Sequence, residues 1–392
     1  MFGTKYLVII WWSGGNVVIL WGERKMNMNR IILVGNGFDL AHGLKTRYED
    51  FINWYFEQLR DKLYHHNSYK FDDGLCLLKI DARLNECSSW RCIINKHRSC
   101  IWQLKGGELL EYLRTYERVA ISKSSLFKRI MQSISSKGWV DIETDYYELL
   151  KNCPDLNSNV VSRLQHELKC LQEKLTEYLI HIQESSNAII IKALKEIIDE
   201  PASKADISEY ALKNIFQLND TDRFIEIEDL LVLDFNYTNT TSKYHNNVIH
   251  IHGSLEVPNS MIFGYGDELD ENYKKLSNLN DNRYLTNMKS IRYLESGNYR
   301  DLLRFINAAP YQIYIMGHSC GNSDRTLLNT LFEHENCVSI KPFYYQKDDE
   351  NDNYSEITQN ISRNFTDMQS FRDKVVDKTR CEPMPQIQIE SR

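Results

Sequence analysis

Gly35-Asn36-Gly37-Phe38-Asp39 follows directly on Arg30–Val34, an apolar and β-branched run. A strand ending in glycines is where a doubly wound sheet places its phosphate-binding turn, because missing side chains let backbone amides approach a pyrophosphate. Leu40 stands where the dinucleotide fingerprint has its third glycine. Asn36 and Asp39 can contact a ribose or orient a water, or they can satisfy the turn through side-chain to backbone bonds. Asn236 and His252 each follow a further apolar run, and His250 lies two residues before His252 on the same strand face. An imidazole titrating near neutrality can serve as a general base, and a neutral amide can bind a ribose hydroxyl or fix a water without adding charge. Gly253 leaves room for a ligand beside His252. The alternative role for these side chains is to satisfy loop backbone.

Two other constellations bear on chemistry. Gly317-His318-Ser319-Cys320-Gly321 spells G-x-S-x-G between a strand-like and a helix-like run, the context of a hydrolase nucleophile elbow. The one histidine downstream, His334, is fifteen residues on, in a helix that carries it away from Ser319. The segment therefore reads as a tight turn, with Asn322, Ser323 or Asp324 capping the helix that follows. Cys87, Cys92, His97 and Cys100 fall within fourteen positions but lack the C-x-x-C knuckles of a tetrahedral zinc site. They read as ordinary buried thiols, and no metal site is expected.

These residues need a scaffold that gathers them. Short apolar runs at Leu230–Phe235, Val248–Ile251, Met261–Phe263 and Tyr311–Met316 each end in a polar or glycine cluster, and another apolar run spans Val338–Tyr345. Ligand sites of open parallel sheets lie beyond the carboxyl ends of the strands, so these tips are expected to converge on one crevice with Gly35–Asp39. After the first turn, Thr46 and Glu49 form a capping box. The residues Tyr48, Phe51, Ile52, Tyr55, Phe56, Leu59 and Leu63 then recur at helical spacing.

The expected fold class is α/β, a Rossmann-like parallel sheet with a large helical insertion. Its parts are an α/β nucleotide-binding core at 28–63 and 226–376, the insertion at 64–225 and a tail at 377–392. Within the insertion, Val161, Leu164, Leu168, Leu171, Leu175, Tyr178 and Ile182 form a heptad-like seam, read as a helix packed into its own domain before a dimer coil. Residues 91–137 hold ten Lys or Arg against three Glu, a local excess that suits contact with nucleic acid, or simply a solvated face.

The net charge of -7 over 392 residues argues against a protein that coats DNA, and nine scattered cysteines fit a reducing, cytoplasmic setting. In the first 27 residues, Tyr6–Trp12 and Val17–Trp21 are apolar, but Ser13-Gly14-Gly15-Asn16 divides them into runs too short to span a membrane. They read as an appended hairpin or, preferably, as an upstream start ahead of Met26 or Met28, in which case they should pack poorly.

The segments ILVGNGFDLAHGLKTRYEDF (32 to 51), LDFNYTNT (233 to 240), VIHIHGSL (248 to 255), MIFGYGDE (261 to 268) and YIMGHSCGNSD (314 to 324) together resemble the AbiH abortive-infection family of bacterial antiphage proteins, over Met28 to Gln386. Their order is also similar, more distantly, to the sirtuin-like fold of NAD-consuming enzymes. That likeness implies Asn236 as the ribose-handling asparagine, His252 as the catalytic histidine, and Gly35 and Gly37 in the phosphate loop with Asn36, Phe38 and Asp39. Gly253 and a late turn with Gly317, Ser319 and Asp324 complete the cofactor side. Thr238 stands where that pattern has an acid, and the four-cysteine zinc module of deacetylases is missing, which argues against a deacetylase. The resemblance implies NAD as ligand or substrate, cleaved at its nicotinamide glycosidic bond. The alternative is a non-enzymatic nucleotide or nucleic-acid sensor acting through partners; a homo-oligomer is open under either reading.

Overall fold

The computed structural model describes residues 27–387 apart from 82, 84–85, 138–140, 154–157, 187–188, 217–221 and 349. It also gives the backbone of two strands, Leu7–Ser13 and Asn16–Gly22, which pair antiparallel. The appended-hairpin pattern is therefore present in the first 27 residues. How their side chains pack lies outside the described residues.

The core is a five-stranded, wholly parallel sheet. Its strands are β1 (Met28–Val34), β2 (Ile227–Asp234), β3 (Val248–His250), β4 (Tyr311–Met316) and β5 (Cys337–Phe343), in the spatial order β3-β2-β1-β4-β5. β1, β4 and β5 are buried along their full length, which explains why they read as continuous apolar runs and not as alternating ones. Met261–Phe263, expected to be a strand, is instead buried coil that follows the backbone bond from Ile262 to the His252 carbonyl. The chain leaves β1 toward β2 on one side and returns to β4 on the other, so the switch point of the sheet lies between β1 and β4. In register at the carboxyl edge stand His250, Asp234, Val34, Met316 and Phe343.

β1 passes straight into a short helix, α1 (Asn36–Ala41), and a loop leads to α2 (Tyr48–His65). The expected capping box is not made: Arg47 occupies the N-cap without a side-chain bond, and the Thr46 hydroxyl donates to Asn36 Oδ1 at 2.5 Å. The apolar face of α2 packs into the insertion rather than onto the sheet. It shares one core with Trp90, Phe127, Tyr146 and Leu171, and also with Phe263, Tyr265 and Met288.

The insertion contains α3 (Ile142–Lys151) and the long α4 (Ser158–Ser185), and a small antiparallel sheet of Lys70–Asp72, Cys76–Lys79 and Ala120–Lys123 that helical periodicity does not reveal. Cys87 and Cys92, read as thiols, are bonded to each other. His97 is held by Glu117 and by Tyr112 at 3.0 Å. The tail packs on the core through Met384 and through a bond from Ile387 N to Ala41 O of 2.9 Å. Among the described residues no helix is long and apolar enough to cross a membrane.

Val161, Leu164, Leu168, Leu171, Leu175 and Tyr178 of α4 are all buried inside the chain's own core. Leu171→Ala should therefore lower unfolding stability by about 2–5 kcal/mol. Urea melts should show the same loss at every protein concentration; a loss that vanishes at high concentration would place the seam between subunits.

Candidate functional site

The site is built where the loops after β1 and β4 meet. A Cβ on Gly35 would lie 2.6 Å from the His318 Cα, and one on Gly37 would lie 2.7 Å from the Gly317 Cα. Gly317 itself has φ 75°, and a side chain there would meet Phe38 N at 2.2 Å. These glycines serve the close approach of the two loops. The amides of Gly35, Gly37 and Phe38, assigned above to a pyrophosphate, donate to the carbonyls of Met316, Gly317 and Gly35 at 3.3, 2.8 and 2.9 Å. Asn36 is exposed beside them, and Phe38 is buried against His42 and Tyr244.

β2 brings its tip to the same place. Phe235 N donates to Val34 O at 3.0 Å, and the Asn236 side chain donates from Nδ2 to Gly35 O at 3.0 Å. His252, after β3, is only 4 % exposed. Its Nε2 lies 3.1 Å from the Tyr293 hydroxyl and 3.2 Å from Asp324 Oδ1, and its ring edge packs on Phe235. The space beside Gly253 is not left for a ligand, because the Ser260 carbonyl fills it, 2.2 Å from where a Cβ would stand.

Asp324 does not act as the helix cap expected of it. It sits at the N-cap of the helix Arg325–Phe332, but its carboxylate makes no capping bond and turns inward. Oδ1 takes a bond of 2.8 Å from the Lys289 ammonium, and Oδ2 lies 3.7 Å from His318 Nε2. Cys320 N donates to His318 Nδ1 at 3.0 Å, so the His318 proton resides on Nε2, facing Asp324. Lys289 is 0 % exposed, and its other partner is Glu143 Oε2 at 2.7 Å, from the first turn of α3. Glu143 Oε1 accepts from Gly264 N at 3.1 Å.

This network has a definite charge pattern. Burial opposes ionisation of Asp324, yet Lys289, His252 and His318 together hold it far below the usual carboxylate range. Burial pushes Glu143 up to about 7, with Lys289 opposing and Asp324 adding. Burial also lowers His252, helped by Lys289 and opposed by Asp324, and brings His318 down to about 4. Both imidazoles are thus neutral near pH 7 and Asp324 is the ionised member.

A second buried cluster adjoins the first across Asn236. Asp234 accepts from Asn236 N at 2.8 Å and from the Thr241 hydroxyl at 2.5 Å, and lies 3.6 Å from His250 Nδ1. Asp39 accepts from the Thr238 hydroxyl at 2.6 Å, and its Oδ1 has no hydrogen-bond partner among the described residues. Burial raises Asp234 well above its ordinary value and Asp39 from 3.8 up to about 6.

Ser319 is exposed, with its carbonyl bonded to Asn360. His334, needed by a serine hydrolase, lies against Tyr311 at the opposite edge of the sheet. Sequence reasoning missed Glu143, Lys289, Asp234, His318 and Tyr293. A cleft of about 630 Å³ opens between α4 and the loop carrying Ser254, Leu255 and Met261.

Because folding raises Asp39 from 3.8 to about 6, its bound proton favours the native state fully below pH 3.8, and that contribution is lost as the pH rises through 6. Asp39→Asn keeps an acceptor for Thr238 without the ionisation. Its stability relative to the unsubstituted protein should rise between about pH 4 and 6 and then stay level. A difference in urea-unfolding stability that does not vary with pH would contradict this.

No curated protein and no solved structure matches the chain. The sequence model of the bacteriophage abortive infection AbiH family matches residues 31–346, from within β1 to beyond β5 and including every group of the site. With well over half of its length matched, the chain belongs to the AbiH family of abortive-infection antiphage defence proteins.

Proposed function

We propose that this defence protein is a latent nucleotide hydrolase that cleaves the nicotinamide glycosidic bond of NAD during infection. The observation that carries the proposal is the His252–Asp324 pair, 3.2 Å apart beyond the carboxyl ends of a parallel sheet, the edge at which Asn236 bonds Gly35 O. A neutral imidazole beside an ionised carboxylate is the form that can take a proton from water, with the carboxylate stabilising the imidazolium that results. In the proposed reaction Asn236 turns its amide from Gly35 to the ribose, and water attacks the anomeric carbon as the bond to nicotinamide breaks. His252 accepts the water proton, leaving nicotinamide and ADP-ribose. The pyrophosphate would lie on the amides of Gly35–Phe38, which requires the contact between Gly37 and Gly317 to open.

The direct test is the NAD content of infected cells. NAD should fall in cells carrying the protein, and His252→Ala or Asn236→Ala should slow the loss roughly a hundredfold or more. Protection against phage with NAD unchanged would sink the proposal.

A second possibility, sensing of nucleic acid or a phage component through residues 91–137, is favoured by a groove of about 1410 Å³ that includes Tyr112, Tyr116, Arg114, Lys123 and Lys128. Glu49, Glu108 and Glu111 share that groove and cancel its cations, while Lys96 and Arg129 are paired with Glu117 and Asp145. Charge reversal at Arg114, Arg118, Lys128 and Arg129 should accordingly leave NAD loss intact. Loss of protection with normal NAD depletion would transfer the function to this groove.

A further inference from the structure

We infer that the helical insertion is the lock on this site, and that Glu143 is its bolt. The inference rests on the site proposed above and concerns its regulation. Among the described residues, Glu143 is the group of the insertion that joins the network around His252, and it reaches past the 264–289 segment to the ammonium that also holds Asp324. The rest of α3 clasps the same segment. Tyr147 stacks on Tyr265 with ring centres 3.9 Å apart and planes within 7°, and its hydroxyl donates to Asp270 at 3.1 Å. Asn287 donates to the Tyr146 hydroxyl at 3.2 Å. One helix therefore ties down the segment that carries Lys289, and Tyr293 at the end of that segment bonds His252.

An ion triad is a poor choice for stability alone, because desolvation offsets most of its attraction, but removing one partner is strongly unfavourable for those left behind. That asymmetry suits a contact with two states. While α3 is docked, Lys289 fixes Asp324, Asp324 and Tyr293 hold His252, and the loops stay closed. When a partner draws the insertion away, Lys289 loses Glu143, and the 264–293 segment is released from the imidazole.

Glu143→Gln isolates the bolt. Both Glu143 oxygens face donors, Gly264 N and the Lys289 ammonium, so the amide must set its own NH2 against one of them. The purified full chain would be treated with diethylpyrocarbonate, and modification of His252 and His318 followed by peptide mass spectrometry. Loss of one charge-assisted bond should raise their reactivity roughly tenfold over the unsubstituted protein. Glu148→Gln, on the same helix and paired with Lys151, should leave it unchanged. Should Glu143→Gln fail to fold, Tyr147→Leu removes the stack and the Asp270 bond and should produce the same exposure. Folded variants with both histidines as protected as before would overturn the lock. Exposed histidines with no NAD cleavage would leave the lock standing and remove the proposed reaction. NAD cleavage without any change in exposure would do the reverse.

Discussion

A single ammonium group buried between two carboxylates joins the two parts of this protein. Lys289 cannot remain charged without water unless anions surround it, and the chain supplies Asp324 from the sheet and Glu143 from the insertion. Two carboxylates and one ammonium leave one negative charge in excess, which a buried site resolves by holding a proton. Burial pushes Glu143 up to about 7, so of the two carboxylates it is the one that more readily binds a proton, while burial lowers His252 and brings His318 down to about 4. Lys289 thus holds Asp324 as an anion, while burial, with Lys289 adding to it, lowers both imidazoles beside it.

The same arrangement depends on backbone meeting backbone at the sheet switch point. Only glycine at 35, 37 and 317 lets the loops after β1 and β4 touch, and that contact fixes where His318 and Asn236 stand. The amides of Gly35, Gly37 and Phe38 already donate to protein carbonyls. A nucleotide at this edge would have to exchange ligand phosphate for three protein carbonyls, a near balance that binding energy from the rest of the molecule must tip.

Much of the scaffold was legible in the sequence because parallel strands buried on both faces leave unbroken apolar runs. Arg30–Val34 and Tyr311–Met316 are of this kind, and the polar tips beyond them do converge. Met261–Phe263 looked the same because buried coil needs the same apolar side chains. The glycines mark a tight turn, but the sequence does not say what that turn approaches: a turn that hugs another turn and one that hugs a phosphate demand the same missing Cβ. Glu143 and Lys289 were invisible for a different reason. Each sits in a short amphipathic stretch where a charged residue normally means a solvated face, and only the packing of α3 on the 264–289 segment puts both in the interior. Asp324 looked like a helix cap because position alone decides that pattern, whereas its carboxylate was drawn inward by a lysine thirty-five residues away.

A closed site is also what defence of this type requires, if the site is the toxic one. An enzyme that consumes an essential nucleotide must be quiet in every uninfected cell, so its resting equilibrium has to favour the shut form strongly. A gap of about 4 kcal/mol leaves roughly one molecule in a thousand open. Apolar packing can supply such a gap, but it yields gradually as contacts loosen. A buried ion triad yields as a unit, since displacing Glu143 breaks its bond to Lys289 and loosens the segment whose Lys289 and Tyr293 hold Asp324 and His252. On the proposed scheme, that shared lysine turns displacement of one insertion helix into opening of the core, without any ligand having to reach the sheet first.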